Sequence, residues 1–119
     1  MSRRPEPEST LPLTPVAFEI LLSLAEEDRH GYHIMRAVER RTGGGISLHA
    51  GTLYRALARL VDAELIEELD ERPAPGADGR RRYYRLTDYG RQVAEAEAAR
   101  LESQVRAARS LRLLRRSER

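Results

Sequence analysis

At 119 residues the chain has room for one domain around one modest core, and a 40% hydrophobic share is ordinary for a globular protein. The absence of cysteine excludes a disulfide framework and a thiolate metal site, and no apolar run approaches bilayer-spanning length. The net charge of +2 hides blocks: 31–60 and 80–91 are basic and 61–79 strongly acidic, so two basic blocks can join into one phosphate-binding surface after folding, or remain ordinary solvated charge.

Residues 1–12, with Pro5, Pro7 and Pro12 among charges, read as a disordered arm without the apolar core of a secretory signal, which together with the missing cysteines points to the cytoplasm. Thr14 before Pro15 is a helix start, a capping hydroxyl followed by a residue whose missing N–H costs nothing there. Ala17, Ile20, Leu21 and Leu24 carry that first helix to about residue 26. Gly31 opens a second helix with Ile34, Met35 and Val38 inward and Arg36, Arg40 and Arg41 outward, and Gly43, Gly44 and Gly45 stop it.

The third helix is expected from about Ala50 to Glu64. Leu53, Leu57, Leu60 and Val61 gather on one side, while Thr52, Arg55 and Arg59 fall within about 60° of one another on the other. That polar stripe contains no acid. Leu65, Ile66 and Leu69 suggest a strand, 72–79 a turn-rich tip, and residues 82–86 a second, aromatic-rich strand. Thr87 and Asp88 cap a last helix that is expected to reach 115. Its stripe of Leu101, Val105, Ala108, Leu111 and Leu114 lacks a partner within so small a domain and points to a second copy of the chain.

Three helices followed by a hairpin is the order of a winged helix, and particular strings narrow it. His30-Gly31-Tyr32 with Ile34 resembles the signature that opens the second helix of PadR-family regulators. Gly51-Thr52-Leu53-Tyr54, with Leu57 and Leu60, resembles that family's recognition helix, although Ala50 stands where the family commonly has proline. Leu65-Ile66 and the later Arg82-Tyr83-Tyr84-Arg85-Leu86-Thr87-Asp88-Tyr89-Gly90 resemble its wing and the exit into the C-terminal helix. The resemblance spans about residues 11–110. It implies a mainly α, winged helix-turn-helix protein of the short form: a DNA-binding domain over 13–88 and a dimerisation helix over 89–119. The implied function is a transcriptional regulator, usually a repressor, that binds an inverted repeat as a homodimer. Many members release DNA when a small molecule arrives.

The candidate DNA-binding residues are Tyr32, Thr52, Tyr54, Arg55, Arg59, Arg80, Arg81 and Arg82. Arginine can pair with guanine O6 and N7, so Arg55 and Arg59 are candidates for base reading, with phosphate contact or solvation as the alternatives. Thr52 touches DNA or caps the helix. Tyr54 lies beside the polar stripe and offers its hydroxyl to a phosphate. Tyr32 packs inward, with or without a hydroxyl reaching DNA, and the wing triplet reaches phosphates or is a soluble tip. His30, His33 and His49 have neither cysteine nor a carboxylate cluster beside them, so no metal or cofactor is expected. With no phosphate loop and no nucleophile–base pairing, no enzyme activity is expected either. The partners expected are double-stranded DNA, a second copy and an unknown small-molecule effector, and no membrane. The competing reading is a winged helix that docks a protein. It would put acidic or apolar residues where Thr52, Arg55 and Arg59 stand.

Overall fold

The computed structural model describes residues 4–70, 72–73 and 80–115, with only the backbone described at 72–73 and 80–81. Helix α1 (Pro15–Glu26) starts as its sequence requires: the Thr14 hydroxyl accepts from the Ala17 N–H at 3.1 Å, and Pro15 takes the first position. Helix α2 (Gly31–Arg41) ends at Gly43, whose φ of +60° lets the Gly44 N–H turn back to the Glu39 carbonyl at 2.9 Å. Helix α3 (Ala50–Asp62) buries Leu53, Leu57 and Leu60, the apolar stripe read from its spacing. The chain then reverses at Glu64, which adopts φ +65°, while the Leu65 N–H returns to the Leu60 carbonyl at 3.0 Å. That motif favours glycine at the left-handed position, so a glutamate there leaves no signal in the sequence.

Between α1 and α2 runs a two-residue strand that sequence periodicity does not reveal, β1 (Arg29–His30). With β2 (Ile66–Glu68) and β5 (Tyr83–Leu86) it forms an antiparallel sheet in the order β1-β5-β2, pairing Arg29 with Tyr84 and Ile66 with Leu86. Farther out, β3 (Arg72–Pro73) pairs with β4 (Arg80–Arg81), which continues the hairpin toward the wing tip. Arg29 tolerates its buried position because its guanidinium donates to the Ser23 carbonyl at 2.8 Å and pairs with Glu26 and Glu27. The fold is thus mainly helical, a winged helix whose sheet has three strands rather than two.

Helix α4 (Asp88–Ser110) buries Tyr89, Val93 and Glu97, and none of its described residues beyond Glu97 is buried. It stops before residue 115: Arg112 takes φ +63°, and the Leu113 N–H returns to the Ala108 carbonyl at 2.8 Å. Leu101, Val105 and Ala108 therefore stay on the helix, while Leu111 and Leu114 lie past its end. The Cα radius of gyration of 16.2 Å exceeds the roughly 13–14 Å of a compact chain this long, as a projecting helix would make it. Among the described residues no helix is long and apolar enough to cross a membrane.

The N-terminal segment departs from the expectation of a disordered arm. Residues Pro7–Thr10 form a 3-10 turn, Leu11 and Leu13 pack against the core, and Arg4 pairs with Glu64 at 3.0 Å beneath the Tyr89 ring. The Tyr89 hydroxyl donates to the Pro5 carbonyl at 2.9 Å. The far anchor is Glu97, only 2% exposed, whose carboxylate accepts from the Leu13 N–H at 3.1 Å and from Arg100 at 2.6 Å.

The bond to Arg100 outweighs burial and holds the Glu97 carboxyl below its ordinary range, with the Leu13 N–H acting in the same direction. A lowered folded-state value means that this stabilisation is complete above the ordinary carboxylate range and is lost as pH falls through the lowered value. Acidification should therefore release the Leu13 amide, seen as faster hydrogen exchange there than in α1. Glu97→Gln should cost about 1–3 kcal/mol and abolish that pH dependence. Unchanged acid sensitivity in the variant would place the docking elsewhere.

Candidate nucleic-acid interface

Burial of Leu53, Leu57 and Leu60 leaves α3 one outward direction, and Thr52, Arg55 and Arg59 are exposed along it. No ion pair ties Arg55 or Arg59 to a described residue, in contrast to most arginines near the sheet. Arg55 leans toward the helix N-terminus: its Nη1 lies 3.4 Å from where a Cβ on Gly51 would stand. Side chains on helices tilt that way, so the guanidinium extends to the end of α3 that a winged helix inserts into a groove.

Tyr54 reaches from α3 to the start of α2, whereas Tyr32 stays on α2. Tyr54 is 50% exposed, and its hydroxyl lies 2.4 Å from where a Cβ on Gly31 would stand. Gly31 is thus the gap that admits the Tyr54 ring, a pairing of two sequence signatures that neither one shows alone. Tyr32 does not pack inward as expected. It is 45% exposed, with its hydroxyl accepting from Arg36 Nη1 at 2.9 Å and the Arg36 guanidinium 5.7 Å from its ring centroid. Arg36 is the functional candidate that spacing missed, although it stands one helical turn after Tyr32.

His30 is buried and caps α2, with its Nδ1 3.4 Å from the His33 N–H and the two rings stacked at 4.0 Å. Among the described residues no group of three or more histidine, aspartate or glutamate side chains is placed to hold a metal ion.

The second basic block does not merge freely with the first. Arg82 pairs with Glu68 at 3.4 Å, and Arg85 pairs with Asp28 at 3.5 Å and Glu67 at 3.7 Å, so acids beside the sheet take up cations that composition counted as available. Glu68 also accepts from the Tyr84 hydroxyl, which burial and then that carboxylate push up to about 12. The side chains of Arg80 and Arg81, the rest of the expected wing triplet, lie outside the described residues. On the first block Arg41 pairs with Glu19, whose bond keeps the guanidinium more firmly charged. Among the described residues, Arg55, Arg59, Arg40 and the Tyr32–Arg36 pair, with the hydroxyls of Thr52 and Tyr54, are exposed on α2 and α3.

Known proteins share this fold. The chain is 36% identical over 72 residues to an uncharacterised protein of Lysinibacillus sphaericus, covering 60% of this chain and 64% of that one, just under two thirds of the relative's length. It superposes on a PadR family transcription regulator from Clostridium difficile with a TM-score of 0.69 at 26% identity, covering 82% of this chain and 98% of that one. It also superposes on Bacillus subtilis PadR in complex with operator DNA, with a TM-score of 0.60 at 25% identity, covering 71% of this chain and 46% of that one. The model of the transcriptional regulator PadR-like family matches residues 20–96, from the core of α1 to just before the Glu97 anchor, and the chain belongs to that family.

Proposed function

We propose that the protein is a sequence-specific DNA-binding transcriptional regulator that represses as a homodimer on an inverted repeat and is released by a small-molecule effector. One observation carries the DNA part: α3 turns Thr52, Arg55 and Arg59 outward, opposite buried leucines, with no carboxylate from a described residue on either guanidinium. The likeness to a PadR solved in complex with operator DNA supports DNA as the partner. In this reading Arg55 contacts a base edge and Arg59 a phosphate. Thr52, Tyr54 and Tyr32 position the backbone, and Arg80, Arg81 and Arg82 add wing contacts. Repression requires only that the site be occupied. The place of action is the cytoplasm.

The test separates base reading from phosphate holding. Arg55→Ala should cost about 1–3 kcal/mol on the natural operator and much less on random DNA, narrowing the specificity ratio. Arg59→Ala should weaken both about equally and make the salt dependence shallower by at most about 0.9 in slope. Neither change should lower the melting temperature by much, because both side chains point away from the core. Intact operator preference in Arg55→Ala would remove that residue from sequence reading. Negligible salt-dependent binding of the unaltered protein to any DNA would instead favour a protein-docking module.

A further inference from the structure

On the flank of α3 that faces the first turn of α1, the surface opens into a groove of about 720 Å³. That volume lies within the range of small-molecule sites. Leu13, Val16, Ile46, Ala56 and Leu60 supply an apolar wall. Arg55 and Arg59 stand along the same groove, and so does the positive end of α1 at Thr14 and Pro15. No aromatic side chain lines it.

An apolar wall beside two guanidiniums that lack ion-pair partners among the described residues is complementary to a molecule with a hydrocarbon body and a negative head. It does not suit the distal helix of a second copy. Residues 100–115 carry Arg100, Arg106, Arg109, Arg112 and Arg115 against Glu102 alone, so that segment would bring positive charge to a positive rim. The lack of aromatic walls favours a flexible chain over a flat ring.

We infer that this groove binds an aliphatic organic anion, an acyl chain ending in a carboxylate, whose head is held by Arg55 and Arg59. This goes beyond the proposed function in locating the effector and naming its class, and its competition with DNA rests on that proposal. The same two guanidiniums cannot serve a ligand carboxylate and DNA together. Ligand and DNA therefore exclude one another at shared side chains, and each weakens the other's binding by the same factor.

Decanoate below its micelle concentration is the probe, with 1-decanol as its neutral counterpart, titrated into the whole protein and followed by backbone amide shifts. Decanoate should bind about tenfold more tightly than decanol, the scale of a charge-assisted bond, and should shift the amides of Ile46, Ala56 and Leu60. Decanoate should also lower the affinity for random DNA. Ala56→Leu, which fills the groove, should reduce decanoate affinity about tenfold while leaving DNA affinity within about twofold. Equal uptake of the two probes by the unaltered protein would overturn the inference without any variant. So would shifts confined to Leu111–Leu114, or DNA binding indifferent to decanoate. A protein that holds decanoate in the groove yet binds no DNA would refute the regulator reading and leave the ligand site standing. One that binds DNA and ignores decanoate would do the reverse.

Discussion

Gly90→Ala is expected to destabilise the fold by about 3 kcal/mol or more, a drop in Tm of roughly 10–20 °C, although alanine is the better helix former. Gly90 lies in the first turn of α4, where its N–H donates to the Thr87 hydroxyl at 2.9 Å. A Cβ there would stand 1.9 Å from the Leu65 carbonyl oxygen. That carbonyl cannot swing aside cheaply, because it accepts from both the Thr87 N–H and the Thr87 hydroxyl at 3.1 Å. The obstacle is backbone on both sides, so helix and strand would have to separate where the wing feeds α4. Gly51→Ala is the control. A Cβ at Gly51 meets only Arg55 Nη1 at 3.4 Å, ordinary contact, and the change should be neutral or stabilising by up to about 1 kcal/mol. Thermal melts should show a marked drop for the Gly90 variant and none for the Gly51 variant. Equal behaviour would mean that the closeness of α4 to Leu65 is not what holds the wing.

Replacing Leu101 and Val105 together by glutamate is expected to turn a dimer into monomers and to lower operator affinity by about 100-fold or more, since a half-site bound alone loses the effective concentration that its linked partner provides. Both residues follow Glu97 on α4, where the helix has left its own domain; Val105 is 40% exposed and Leu101 half-buried. Two charges placed in a seam between copies would be costly, and on a solvent face they would cost almost nothing. Light scattering separates these outcomes. A dimer of unchanged affinity would move the interface to another surface. The same substitutions at Leu111 and Leu114 should do less, because both lie beyond Ser110, where the helix ends.

The outward face of α3 was legible because a helix repeats every 3.6 residues whatever surrounds it, so Leu53, Leu57 and Leu60 could take one side only if Arg55 and Arg59 took the other. The starts of α1 and α4 were legible for the same local reason, a Thr hydroxyl three residues before the N–H that it accepts from. Strand β1 was not, because two residues carry no period and their pairing with Tyr83 and Tyr84 is a contact across more than fifty positions. The end of α4 was misplaced because arginine occupies the left-handed position where glycine would have announced a stop.

By itself, then, the sequence determined the order of the four helices and of the two main wing strands, the apolar faces of α1, α2 and α3, and the candidate interface on α3. These follow from backbone periodicity and capping, which act within a few residues. Only the tertiary structure decided which arginines stay available, since Glu68, Glu67 and Asp28 neutralise the base of the wing and Glu19 takes Arg41. It also decided that Gly31 makes room for Tyr54, that the N-terminal segment is tied to Glu97, and that Arg55 and Arg59 share a groove with α1. Each of these depends on where distant parts of the chain cross, and a crossing leaves no repeat in either segment.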